Sequence, residues 1–164
     1  MYLLVRSILA LIAGISIILL SFYLGLSVSS RISAIFPDWK IKLLIVQAAG
    51  GAAGVISGGF VASIMLWIPW TRQIAPSTFF IGLPLGSSIG VMMASLVLKG
   101  GMSRWKGLLG FLGSFVAVVA MGALSPGSYF LEDTWVIGLF MLASLVGGII
   151  GYDIPDLLRS VARR

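Results

Sequence analysis

The sequence predicts an all-α integral membrane protein, a bundle of five transmembrane helices in one domain over residues 1–164. Three observations carry this. The chain is 59% hydrophobic and only 10% charged, against about 45–50% and about 25% in soluble domains. Its mean hydropathy is +1.12. Its apolar residues gather into five long runs, and glycines recur at helical spacing in two of them. A soluble core has no room for that excess of apolar surface, whereas a bilayer does.

The first span is predicted over about 7–28. Arg6 precedes it, as in a signal peptide. Its apolar run exceeds the roughly 7–15 residues of a signal core, and Leu26-Ser27-Val28-Ser29-Ser30 is a poor cleavage site, so it reads as a retained anchor. Ser29 to Lys40 then reads as a loop. Ile32, Ile35, Phe36 and Trp39 fall at helical spacing there, which suits a short interfacial helix, and Pro37 interrupts the pattern.

The second span, 41–70, carries the most regular pattern in the chain. Gly50, Gly54, Gly58 and Ala62 recur every four residues and so share one helix face. In a membrane such a face lets two backbones approach closely, the arrangement of a glycine zipper. The third span, 78–98, repeats the spacing at Gly82, Gly86, Gly90 and Ala94. It also contains Pro84, which denies the Phe80 carbonyl its helical partner and predicts a kink. Reversal about the midpoint of the Thr71–Ser77 link pairs Gly58 with Gly90, Ala62 with Gly86 and Gly54 with Ala94. The two spans are therefore expected to form a close antiparallel hairpin in that register.

The fourth span is predicted over 105–124, after a basic loop broken by Gly100-Gly101, and Ser125-Pro126-Gly127-Ser128 ends it. The fifth, 134–151, has small residues at Ala143, Gly147 and Gly151. The tail 153–164 reads as a separate amphipathic helix with Pro155 in its first turn. Ile154, Leu157, Leu158 and Val161 line one face, and Arg159, Arg163 and Arg164 lie off it as candidate contacts for anionic lipid.

Charge sets the expected orientation. Nine basic residues (Arg31, Lys40, Lys42, Lys99, Arg104, Lys106, Arg159, Arg163, Arg164) fall on one side, and Arg6 and Arg72 on the other. The positive-inside rule then puts the N-terminus outside and the C-terminus in the cytoplasm, in a plasma (inner) membrane. Tryptophans agree: Trp39 and Trp105 close inner span ends, and Trp67, Trp70 and Trp135 outer ones. The net charge of +6 is spread over short loops and the tail with no basic groove, so no nucleic-acid partner is expected.

The chain has neither histidine nor cysteine. That removes Ser-His pairs, thiol nucleophiles, His-ligated metals and the usual haem ligands. The acids Asp38, Glu132, Asp133, Asp153 and Asp156 all lie in predicted loops or at span ends, and none sits well inside a span, where ionisable groups mark transport pathways. No catalytic, metal or cofactor-binding residue is assigned, and the protein is expected not to be an enzyme. Gln47 is the polar residue of interest in the second span, suited to an interhelical hydrogen bond or, on a sharper reading, to a substrate. Ser57, Ser63, Ser87, Ser88, Ser95, Ser114 and Ser144 read as small packing residues satisfied by nearby backbone.

The leading expectation is an accessory or assembly subunit acting through tight helix packing in the lipid bilayer, with other membrane subunits or further copies of itself as partners. The alternative is a transporter or channel component for a small or apolar solute. A peripheral regulator working through the basic tail is a third reading. A pore would be wet and lined by Gln47 and serines, whereas an accessory subunit would be dry inside with an apolar outer groove.

Overall fold

The computed structural model describes residues 2–35, 39–68, 71–99, 103–124 and 134–162. The expectations for Phe36, Pro37 and Asp38, for Pro69 and Trp70, for Gly100 and Gly101, for Ser125–Asp133 and for Arg163 and Arg164 lie outside the described residues. Five α-helices follow in order: α1 Tyr2–Ile35, α2 Trp39–Trp67, α3 Ala75–Lys99, α4 Arg104–Leu124 and α5 Thr134–Val161. Each is long and apolar enough to cross a membrane, which makes the chain a multi-pass membrane protein by the length and composition of its helices.

Several element boundaries differ from expectation, and two of them change how a segment is read. Residues Ser29 to Ile35 continue α1 rather than starting a loop. The serines tolerate a helix here, since Ser30 Oγ donates to the Ser27 carbonyl at 2.9 Å. The tail is likewise no separate helix, because α5 runs unbroken through Pro155 to Val161. An interior proline removes the bond to the Gly151 carbonyl. Side-chain ties on either side of it, from Asp153 before and Asp156 after, hold α5 to the bundle instead. Pro84 is also accommodated inside a continuous α3.

The α2–α3 turn is organised by Thr71, which is 1% exposed. Its hydroxyl donates to the Met65 and Ile68 carbonyls (2.7 and 3.1 Å), and its own carbonyl accepts from Ile74 and Ala75 N–H (2.9 and 3.1 Å). One residue thus closes α2 and opens α3. At the other end of α3, Ser103 caps α4, its Oγ accepting from the Lys106 amide at 3.4 Å.

Helices successive in the chain run antiparallel, and α1 and α3, which pack side by side, run parallel. α3 lies at the centre and touches all four others. Among the described residues α1 meets α2 and α3, α4 meets α3 and α5, and α2 and α5 also touch. α2 and α3 are accordingly the most buried, and α1, α4 and α5 present long apolar faces outward. Aliphatic and aromatic side chains fill two clusters. One centres on Leu83, Phe79, Phe140 and Val118 where α3 meets α4 and α5, and the other on Ile17, Val61, Met65 and Ala75 where α1 meets α2 and α3. Phe79, Phe80 and Phe140 meet edge-to-face at 5.7–6.3 Å in the first.

The hairpin register differs from the expected one. A Cβ added at Gly58 would overlap the Gly82 carbonyl, one at Gly54 the Gly86 carbonyl, and one at Gly90 the Gly50 carbonyl. Gly58 therefore sits eight residues, two repeats of the pattern, from its expected partner Gly90. The turn centres on Thr71 rather than on residue 74, because α2 stops at Trp67 and α3 starts at Ala75. Near that centre the register observed sets three glycines on three glycines. A four-residue slip would put Ala62 on Gly82 and Gly50 on Ala94, inserting methyl groups where the backbones now touch.

Candidate functional site

Polar groups inside this bundle collect in two places. The first lies at mid-length, where α3, α4 and α5 meet. Ser87, Ser114 and Ser144 each have no exposed surface. The Ser114 and Ser144 hydroxyls are 2.7 Å apart, and Ser87 Oγ donates to the Ser144 carbonyl at 3.1 Å. Ser57, Ser63 and Ser88 instead bond carbonyls of their own helix at 2.7–3.1 Å, as local spacing predicts. The three central serines depart from that pattern by bonding across helices, and each is small enough to let the helices close around it. On the other side of α3, Ser21 Oγ of α1 reaches the Gly54 carbonyl at 3.4 Å. The Ser29 hydroxyl is buried beside Gly50 without a hydrogen-bond partner among the described residues.

The second place is the end of the bundle where α1, α3 and α5 finish and α2 and α4 begin. Its described cations include Arg31, Lys42, Lys99, Arg104, Lys106 and Arg159, and it is called the basic end below. Gln47, 1% exposed, donates from Nε2 to Asp153 Oδ1 at 3.2 Å, linking α2 to α5. One helical turn on, Asp156 Oδ2 receives Lys106 Nζ at 2.5 Å and Lys99 Nζ at 3.7 Å. Lys106 also stands 5.8 Å over the ring of Tyr152, which is 1% exposed. Asp153 and Asp156 are three residues apart on α5, so both face the bundle. Asp153 ties the turn before Pro155 to α2, and Asp156 ties the turn after it to α3 and α4.

The sequence-predicted residues fall as follows. Gly50, Gly54, Gly58, Ala62, Gly82, Gly86, Gly90 and Ala94 are all buried. α1 packs over the same part of α3: Gly25 lies against Gly90, Ser21 against Gly86 and Ile17 against Gly82. Arg159 is exposed on the last turns of α5, beside the exposed Leu157, Leu158 and Val161. Local reading missed the Lys99–Asp156–Lys106 group and the pairing of Gln47 with Asp153. The available signal was the i, i+3 pair of acids on α5, at the level of the basic loop. It also passed over Gly107, Gly110 and Gly113 on α4, of which Gly113 meets Gly147 backbone to backbone.

Outside the bundle, α1 and α3 leave an open groove of about 170 Å³, lined in part by Ala10, Gly14, Ile17, Ile81 and Leu85. A Cβ at Gly14 would meet nothing within 4 Å. No family model matches the chain, and no curated protein or solved structure matches it either.

Proposed function

We propose that this chain is a non-enzymatic accessory or assembly subunit of the plasma (inner) membrane. It works through glycine-dependent helix packing, with its N-terminus outside and its basic end in the cytoplasm. The interior supports this over the transporter reading. A solute pathway needs polar groups facing water, whereas the hydroxyls of Ser114 and Ser144 are spent on each other and Gln47 on Asp153.

The observation that carries the reading is Gly14. Gly50, Gly54, Gly58, Gly86 and Gly90 of α2 and α3 are accounted for inside the bundle, because a side chain there would strike a neighbouring backbone. Gly14 meets no such neighbour, yet it lines an apolar groove on the outside of α1. Small residues on an outward face admit another helix at close range, and membrane helix interfaces are enriched in them.

The natural sequence has no cysteine, so a single introduced thiol can be labelled uniquely. A photo-cross-linker attached to Gly14→Cys in native membranes should give an adduct of discrete mass. The same probe at Leu19→Cys, 64% exposed on α1, should label lipid alone. Lipid-only labelling at both positions overturns the reading. An adduct of twice the chain's mass identifies the partner as a second copy.

A further inference from the structure

The basic end holds more positive charge than its own acids balance. Asp156 is shared by Lys106 at the start of α4 and Lys99 at the end of α3. The charge of Arg159, one turn further along α5, acts on the same carboxylate. Asp153 is hydrogen-bonded to the amide of Gln47, and the ion pairs of Lys99 and Lys106 both go to Asp156. Three cations from three helices therefore surround one carboxylate.

The placement is as informative as the charge. Lys106 is held over the buried Tyr152 ring, with its side chain only 19% exposed, so its ammonium is fixed rather than trailing in solvent. Trp105 beside it is 77% exposed, as suits the headgroup level of a bilayer. Moving from there into the span, α4 and α5 expose apolar side chains, among them Leu108 and Leu112 on the first and Ile150 and Ile154 on the second. A ligand suited to this surface has an anionic head and an apolar tail.

We propose that Lys99, Lys106 and Arg159 form a docking site for the phosphate of an anionic phospholipid, and that Asp156 is the built-in competitor that holds the lysines when the lipid is absent. The site rests only on the chain's residence in a membrane. It stands or falls independently of the partner groove at Gly14.

The test uses the full-length protein in detergent, with phosphatidylglycerol or phosphatidylcholine added and bound lipid counted by native mass spectrometry. Phosphatidylglycerol should be retained in preference. Lys99→Gln, Lys106→Gln and Arg159→Gln should each weaken that preference about fivefold. Asp156→Asn should strengthen it, an outcome that a merely structural ion pair does not produce. Arg31→Gln, an exposed cation of the same end on α1, should leave it unchanged. Melting temperatures in phosphatidylcholine alone show which variants remain folded, and the exposed Arg159 variant keeps the test open if a lysine variant unfolds. Equal retention of the two lipids overturns the proposal, as does weaker retention in Asp156→Asn. So does an Arg31→Gln effect as large as that of Lys106→Gln, which would mean a diffuse surface charge. Inorganic phosphate that displaces phosphatidylglycerol at millimolar concentration would reassign the site to a soluble anion.

Discussion

The two most extensive seams of this bundle are closed by different means. Along α2–α3, three glycine pairs at four-residue intervals set backbone on backbone, and the side-chain links gather at the turn, where Thr71 and Thr78 reach Met65. Along α4–α5, Gly113 meets Gly147 and Gly151 meets the Leu109 carbonyl, but hydroxyls and charges share the work. Ser114 and Ser144 join the helices at mid-length, and Lys106 and Asp156 join them at the basic end. In a bilayer there is no hydrophobic force between apolar helices, so van der Waals contact and polar bonds are what remain. The first seam relies on contact alone through its middle and has no slack. The second spreads its stability over several replaceable interactions.

Substitutions should separate the two. The largest effect is expected at Gly54→Ala or Gly58→Ala, where the new methyl would overlap a carbonyl of α3 that cannot rotate away. The cost should be about 1–3 kcal/mol or more, read as reversible unfolding in mixed micelles. Gly59→Ala sharpens the comparison. Its methyl would meet the terminal Cε of Met141 at 2.6 Å, a flexible chain end that can swing aside, so the loss should be smaller. Equal stability of Gly54→Ala and the unaltered protein would break the account of the first seam.

A smaller effect is expected in the second seam. Ser144→Ala removes the partner of the Ser114 hydroxyl and leaves the backbone carbonyl that Ser87 uses. About 0.6 kcal/mol should be lost, the average worth of an interhelical side-chain bond in membranes. A loss as large as that of Gly54→Ala would show that the seam depends on one bond after all. The smallest effect is expected at Gly14→Ala, within about 0.5 kcal/mol of no change, since nothing lies near the added methyl. A marked loss of stability in the isolated chain would mean that α1 packs more tightly at this point than the open groove indicates.

The five helices were legible because hydropathy is a local property. Twenty-odd apolar residues announce a span whatever they touch, although the first was expected to end at Val28 and its helix runs on to Ile35. The buried glycines of α2 and α3 were visible for the same reason. Their register was not. A pattern that repeats every four residues offers a small-on-small solution at each four-residue step, and the choice depends on where the turn closes. Thr71 makes that choice through bonds to Met65 and Ile68 behind it and to Ile74 and Ala75 ahead.

The candidate lipid site was legible only as ingredients. Arg159 stood out as a basic tail residue, but Lys99, Lys106 and Asp156 looked like loop charges. Lys106 and Asp156 are 50 residues apart, and Gln47 and Asp153 are 106 apart. No spacing rule spans such gaps. Pro155 pointed the wrong way, since local chemistry makes it a helix start, whereas the ties to Gln47, Lys99 and Lys106 carry α5 through it.

By itself, then, the sequence determined the membrane class and the number of apolar helices long enough to span, because each follows from composition and hydropathy within one segment. Only the tertiary structure decided which glycine meets which, that the central serines answer one another, and that a single carboxylate of α5 collects lysines from α3 and α4. Those outcomes depend on the relative height and rotation of whole helices. A turn of a few residues sets these, and the fit of backbones at close range selects among the registers it leaves open.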